Sequence, residues 1–179
     1  MITPKNEKQI TIYGTALFSF LNERDTAFGE PGEYKVTLKV PRAKSGELIR
    51  EINEVISIQF GNGTPSKHFK VLVDKAKKPY KVIGDEVHFK AHSQYKPVLW
   101  DKNQNKLDEK INVWKGSTMW ANCKASGYTK ALGTGATLLL GSVQIDKLVE
   151  GKSLDTCPFP KREAMTTESR LPGPEKAVI

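Results

Sequence analysis

Cysteine is nearly absent: Cys123 and Cys157 are the only two in 179 residues, and neither has a CxxC companion. That excludes a disulfide framework and a cysteine-rich zinc cluster, and a chain of this length folds without such staples. Long apolar runs are missing too. The stretch around Leu138, Leu139 and Leu140 is the most apolar and falls far short of the ~20 residues that cross a bilayer. The opening Met1-Ile2-Thr3-Pro4-Lys5-Asn6-Glu7-Lys8 lacks the apolar core of a secretory signal. These absences predict a reduced protein of the cytoplasm with no membrane partner.

Familiar reaction chemistry is absent as well. Residues 133–138 begin like a dinucleotide fingerprint, but Leu138 stands where the third glycine belongs, so this reads as a glycine-rich hairpin. His88 and His92 have the spacing of a helical metal pair, yet Val87, Phe89 and Ala91 beside them favour a strand. Four strand residues cover roughly 13 Å, too far for both rings to reach one zinc ion. Five of the six acids among residues 61–130 fall in predicted turns rather than converging from rigid elements. No catalytic, metal or cofactor site is expected.

What is present is positive charge in one place. The net charge is +8. Residues 61–130 hold 14 lysines against six acids, whereas the segments before and after are balanced. The same window carries all three tryptophans and Tyr80, Tyr95 and Tyr128. Lysine attracts phosphate and aromatic rings offer faces to unpaired bases, the two ingredients of single-stranded nucleic-acid binding.

Hydrophobic alternation distributes these residues. Residues 10–20 and 33–40 read as strands, the second with Tyr34, Val36, Leu38 and Val40 on one face. Ser45 is placed to cap a helix to about Phe60, ended by Gly61-Asn62-Gly63. A short strand over residues 68–73 and a lysine-rich loop over 74–81 follow. In the strand 86–92, Val87, Phe89 and Ala91 face the core while His88, Lys90 and His92 face outward. Residues 98–100 and 111–114 predict a hairpin around Asn103, Gln104 and Asn105. In 118–128, Met119, Ala121, Cys123 and Ala125 form a core face opposite Thr118, Trp120, Asn122, Lys124, Ser126 and Tyr128. Residues 137–148 predict a last strand, with Thr137, Leu139, Gly141, Val143, Ile145 and Lys147 on one face. Four prolines from Pro158 onward predict an extended tail.

The expected fold is mostly β: a five-stranded oligonucleotide-binding barrel with an inserted helix, residues 1–155, and a flexible tail, 156–179. Trp120 on an outward face has two readings. It packs under a loop or against a second layer, or it forms a stacking platform with Lys124 and Tyr128.

The order of these signals resembles the single-stranded DNA-binding proteins of short-tailed bacteriophages, the phage T-seven type. The resemblance runs through Gly29-Glu30-Pro31-Gly32-Glu33-Tyr34-Lys35-Val36-Thr37-Leu38 with Pro41, then Phe89-Lys90, Gly116-Ser117, Tyr128-Thr129-Lys130 and residues 135–143. It implies a base-stacking tyrosine at Tyr128 and a DNA-contacting lysine at Lys90, with His92 where the family has a second aromatic. It also implies roles in phage DNA replication, recombination, repair and annealing, with a phage polymerase and helicase as partners and a monomer or homodimer as the working form. The family's acidic tail with a terminal aromatic has no counterpart: residues 161–179 carry four basic and three acidic side chains and end Ala177-Val178-Ile179.

The resulting expectation is a sequence-tolerant, non-enzymatic protein that coats single-stranded DNA. Lys75, Lys77, Lys78, Lys81, Lys90, Lys124 and Lys130 would track phosphates. His88, His92, Trp100, Trp120, Asn122 and Tyr128 would complete one surface with them. The competing expectations are a module for RNA or structured nucleic acid, and a non-enzymatic β-barrel of virion assembly with core tryptophans.

Overall fold

A nineteen-residue strand, β1 (Glu7–Asp25), organises the molecule because it is long enough to serve two partners in succession. In the computed structural model, which describes residues 6–59, 71, 73–131 and 133–150, its first half pairs with β6 (Thr118–Lys130) and its second with β2 (Glu33–Pro41). The handover falls at Gly14 and Thr15. A Cβ at Gly14 would lie 2.7 Å from the Lys39 carbonyl oxygen, so the close approach there requires glycine.

The remaining strands are β3 (Tyr80–Ile83), β4 (Glu86–Ser93), β5 (Val98–Trp100) and β7 (Gly133–Lys147). β2 pairs with β4 and β6 with β7, both antiparallel, and β4 meets β7 in parallel at Ala91–Leu138 and His92–Leu139. That last contact closes β1, β2, β4, β7 and β6 into a five-stranded barrel, the oligonucleotide-binding arrangement, with β3 and β5 as additions at the edges. Phe89, Ile12, Leu38, Met119, Leu138 and Val143 are among its fully buried side chains. The helix α1 (Arg42–Gln59) lies between β2 and β4 in the chain and packs against β6, β1 and β7, burying Ile52, Val55 and Ile56 against the barrel.

Several expectations need correction. α1 begins immediately after Pro41, so Ser45 is not its cap. Ser45 is buried in the first turns and its hydroxyl donates to the Arg42 carbonyl at 2.8 Å. Val71 and Val73 are helical rather than part of a strand, Asp74 and Lys75 are helical rather than in a loop, and the rest of that expected strand, residues 68–70 and 72, lies outside the described residues. Residues 80 and 81 belong to β3 rather than to a loop. Residues 111–114 form no strand. The turn closes instead on residues 105–107, where Leu107 donates to the Leu99 carbonyl at 2.9 Å, and Asp101 anchors it by accepting from the Asn103 and Asn105 amides, 2.8 Å each. Those bonds hold the Asp101 carboxyl below its usual range, led by the Asn105 amide. β5 is consequently free to pair in parallel with β7.

β7 also changes phase. Leu138 and Leu140 face the core, but so do Val143 and Ile145, because the register with β6 passes from Cys123–Leu140 to Asn122–Ser142 and leaves Gly141 as an extra residue. A bulge of this kind bends the strand and reverses its alternation. Phe60, Gly61-Asn62-Gly63, Cys157 and the tail 156–179 lie outside the described residues.

Candidate nucleic-acid interface

The outward faces of β2 and β4 form the floor of a groove. Cross-strand pairing sets Thr37 beside Lys90 and Lys39 beside His88, with Val36, Leu38, Phe89 and Ala91 turned into the barrel. One wall is the segment from Lys78 through Lys81. It is held in place where Lys77 bridges to Gly135: the Lys77 amide donates to the Thr134 carbonyl and the Ala136 amide to the Lys77 carbonyl, each at 3.0 Å. The other wall is the β6–β7 hairpin, bringing Tyr128, Lys130, Ala136 and Thr137. The enclosed volume is about 640 Å³.

Seven of the thirteen expected contact residues meet there: Lys78, Lys81, His88, Lys90, His92, Tyr128 and Lys130. Among the described residues, the ion pairs formed leave Lys78, Lys81, Lys90 and Lys130 without a carboxylate. The Lys130 ammonium instead sits 5.5 Å from the centroid of the Tyr128 ring. Among the described residues Glu33 is the one acid lining the groove, and it is engaged by His92 at 3.1 Å, whose other nitrogen lies 2.7 Å from the Thr137 hydroxyl. His88 lies 3.3 Å from Glu86, whose carboxyl is held below its usual range first by Lys39 and then by His88.

Tyr80, Thr37, Glu33 and Thr137 also line the groove and were not anticipated as site residues. Thr37 and Glu33 were legible as the outward face of β2. Tyr80 was not, because its place depends on pairing with Phe89 and on a 3.0 Å hydrogen bond from its hydroxyl to Asn53. Burial pushes that phenol above its ordinary pKa.

The expected single surface divides in two. Trp100, Trp120 and Asn122 line a separate depression of about 440 Å³ with Thr11, Gln104, Ser142 and Gln144. Alternation put Trp120 and Tyr128 on the same side of β6, but eight strand residues separate them by roughly 26 Å. Trp120 is 46% exposed and tilted against Tyr13, ring centroids 4.5 Å apart, while the Tyr13 hydroxyl donates to Asp146 at 2.8 Å. Trp120 is therefore neither under a second layer nor in the groove. Lys124 is paired with Glu7 at 3.3 Å. Lys75 and Lys77 lie outside the groove lining. Cys123 is buried, which pushes its thiol up to about 12 and makes it unreactive. Among the described residues no group of three or more histidines, cysteines or acids is arranged to hold a metal ion.

No family model matches the sequence, and no curated protein matches it. Solved structures do match its fold. The crystal structure of gp2.5, a single-stranded DNA-binding protein encoded by bacteriophage T7, superimposes with a TM-score of 0.63 at 20% identity, covering 80% of this chain and 94% of that one. The single-stranded DNA-binding protein of bacteriophage Enc34 in complex with single-stranded DNA gives 0.61 at 14% identity, covering 86% and 97%. Its C-terminally truncated form gives 0.62 at 14%, covering 84% and 94%. The fold is thus shared with these phage proteins.

Proposed function

We propose that this chain is a sequence-tolerant single-stranded DNA-binding protein, without enzymatic activity, that coats and protects single strands during phage DNA replication, recombination, repair and annealing in the host cytoplasm. One observation carries the reading: four lysines without carboxylate partners among the described residues and the Tyr128 ring share a groove on the β2–β4 face, where oligonucleotide-binding barrels receive their ligands. Phosphates would meet Lys78, Lys81, Lys90 and Lys130, and a base would stack on Tyr128. Trp120, Trp100 and Asn122 would take nucleotides farther along a bound strand, with Lys75, Lys77 and Lys124 contributing charge between. Residues 1–155 would form the binding domain and 156–179 a tail. The roles of the proteins that share its fold favour single-stranded DNA over structured RNA. A phage polymerase or helicase would be the protein partners, and the working form a monomer or homodimer.

The test is a fluorescence titration with oligo-dT, oligo-U and a hairpin duplex at two salt concentrations. The reading expects quenching by oligo-dT, a steep salt dependence, and weaker duplex binding because a duplex hides its base faces. Duplex binding as tight as oligo-dT at about 0.2 M salt would refute it.

A further inference from the structure

Gln144 stands between two tryptophans. It pairs with Trp100 of β5 on one side and with Trp120 of β6 on the other, so the two indoles rise from the strands that flank β7. Two strand spacings separate their backbones by roughly 10 Å. A flat ring in contact with an aromatic face on each side needs roughly 7–8 Å. Trp100 is 37% exposed and Trp120 46%, and together they line the depression of about 440 Å³. Tyr13, on the next strand, backs Trp120 on the side away from Gln144 and is itself tied to Asp146.

Between the rings the lining is amide and hydroxyl, and none of the described residues lining it is charged. The Gln144 Nε2 donates to the Asp101 carbonyl at 3.1 Å, which leaves the Gln144 Oε1 as the acceptor open to a ligand. The Asn122 Oδ1 accepts from the Gln9 amide, which leaves the Asn122 amino group as a donor. Gln104 reaches the same depression from the turn after Trp100, where its backbone N–H donates to that same Asp101 carbonyl at 3.1 Å. Its φ is 65°, and among the described residues it is the one non-glycine with a positive φ. Glycine or asparagine would make that turn with less strain, so the glutamine side chain is what the position retains.

A fixed acceptor with amide donors at hand suits the imide edge of thymine or uracil, a single N–H between two carbonyl oxygens. Cytosine and adenine place an acceptor where that N–H would be, and guanine sets an amino group against an amide donor. We propose that this depression clamps one unpaired thymine or uracil between Trp100 and Trp120, with the Gln144 Oε1 accepting from the imide N–H and the Asn122 and Gln104 amides donating to its carbonyl oxygens. This clamp rests on the nucleic-acid reading only in that the base belongs to the strand held by the basic groove. It gives an otherwise sequence-tolerant coat a preference at one nucleotide, through uncharged contacts that salt leaves unscreened.

Thymidine carries the base without a phosphate, so it probes the clamp apart from the basic groove. In the full-length protein the three tryptophans give three indole N–H signals by NMR, assigned with Trp100→Phe, Trp114→Phe and Trp120→Phe. Millimolar thymidine should shift the signals of Trp100 and Trp120 but not that of Trp114, and equally at about 0.05 and 0.5 M salt. N3-methylthymidine, which has lost the imide N–H, and deoxycytidine should each bind at least about tenfold more weakly. Gln104→Gly suits the positive φ and should fold as the wild type does, yet lose several-fold in thymidine affinity. The clamp is overturned if thymidine leaves Trp100 and Trp120 unmoved, if N3-methylthymidine binds as well as thymidine, if Gln104→Gly binds it unchanged, or if methyl glucoside shifts the same signals as strongly. A protein that binds oligo-dT with a steep salt dependence but ignores thymidine keeps the proposed function and loses the clamp. One that binds thymidine but not oligo-dT does the reverse.

Discussion

The Lys130 ammonium lies 5.5 Å from the centroid of the Tyr128 ring, at the lip of the groove that β2 and β4 floor. Residues two apart on one face of β6 thus present a ring and a charge together. A base stacked on Tyr128 would have a phosphate contact beside it. Stacking contributes roughly 1–3 kcal/mol per base, so Tyr128→Ala is expected to weaken oligo-dT binding about ten- to a hundredfold, whereas Tyr128→Phe retains most of it. Lys130→Ala and Lys90→Ala should each reduce the salt slope by roughly 0.7. Titrations at several salt concentrations separate the two effects, and an unchanged slope for Lys90→Ala would remove it from the interface.

Glu33 is the sole acid lining that groove among the described residues, and His92 engages it at 3.1 Å. A carboxylate there opposes phosphate. Glu33→Gln keeps the shape and a hydrogen-bonding group while removing the charge. It is expected to tighten oligo-dT binding several-fold at low salt and less at high salt, as screening predicts. Weaker binding would mean that Glu33 chiefly positions His92.

Which side a residue faces was legible along β4 and β6, where one face of the strand is buried. Phe89, Met119 and Cys123 are in the core, and Lys90, His92 and Tyr128 face out, as period-two alternation requires. Position around the barrel was not legible. Trp120 and Tyr128 share a side of β6 but serve separate depressions, because alternation carries no information about distance along a curved strand. The wall bearing Lys78 and Lys81 depends on the bridge between Lys77 and Gly135, 58 positions apart, and no local pattern encodes it. Gly141 likewise reversed the phase of β7 through a register set by β6.

The separation of Trp120 from Tyr128 predicts length dependence. An oligonucleotide of about five residues should bind Trp120→Ala as it binds the wild type, since a short strand fills one site. One of about twenty residues should lose on the order of tenfold in affinity. Tyr128→Ala should weaken both. Anisotropy titrations across a length series measure this directly, and a Trp120→Ala variant identical to wild type at every length would exclude Trp120 from the bound path.

Gly135 sits against Lys77 so closely that an added Cβ would lie 2.8 Å from the Lys77 Cβ and meet its carbonyl as well. Backbone cannot yield cheaply there. Gly135→Ala is expected to cost about 1–3 kcal/mol and to shift the wall that carries Lys78 and Lys81. Chemical denaturation reads the first effect. Binding assayed where the variant is still folded reads the second, and unchanged affinity would show that this wall is not used.

Deeper in the same sheet, Asp25 and Lys35 form an ion pair in which both side chains are largely buried, beneath Phe18, Phe20 and Phe28. The Lys35 ammonium, and after it the Ala27 amide at 2.9 Å, hold the Asp25 carboxyl below its ordinary value. A carboxyl depressed in the folded state binds its proton more weakly than in the unfolded chain. Its contribution is therefore complete above the unfolded value of about 3.9 and is lost as the pH falls from there through the depressed one. Asp25→Asn should lower Tm by several degrees at pH 7, because Lys35 is left buried without its counter-charge. That gap should narrow as the pH falls below about 4, where the wild-type carboxylate is also being neutralised. Replacing both residues, Asp25→Asn with Lys35→Met, should recover much of the loss by removing the stranded charge. Thermal melts from pH 7 down to pH 3 follow all three proteins, and a gap that stays constant across that range would locate the acid sensitivity elsewhere.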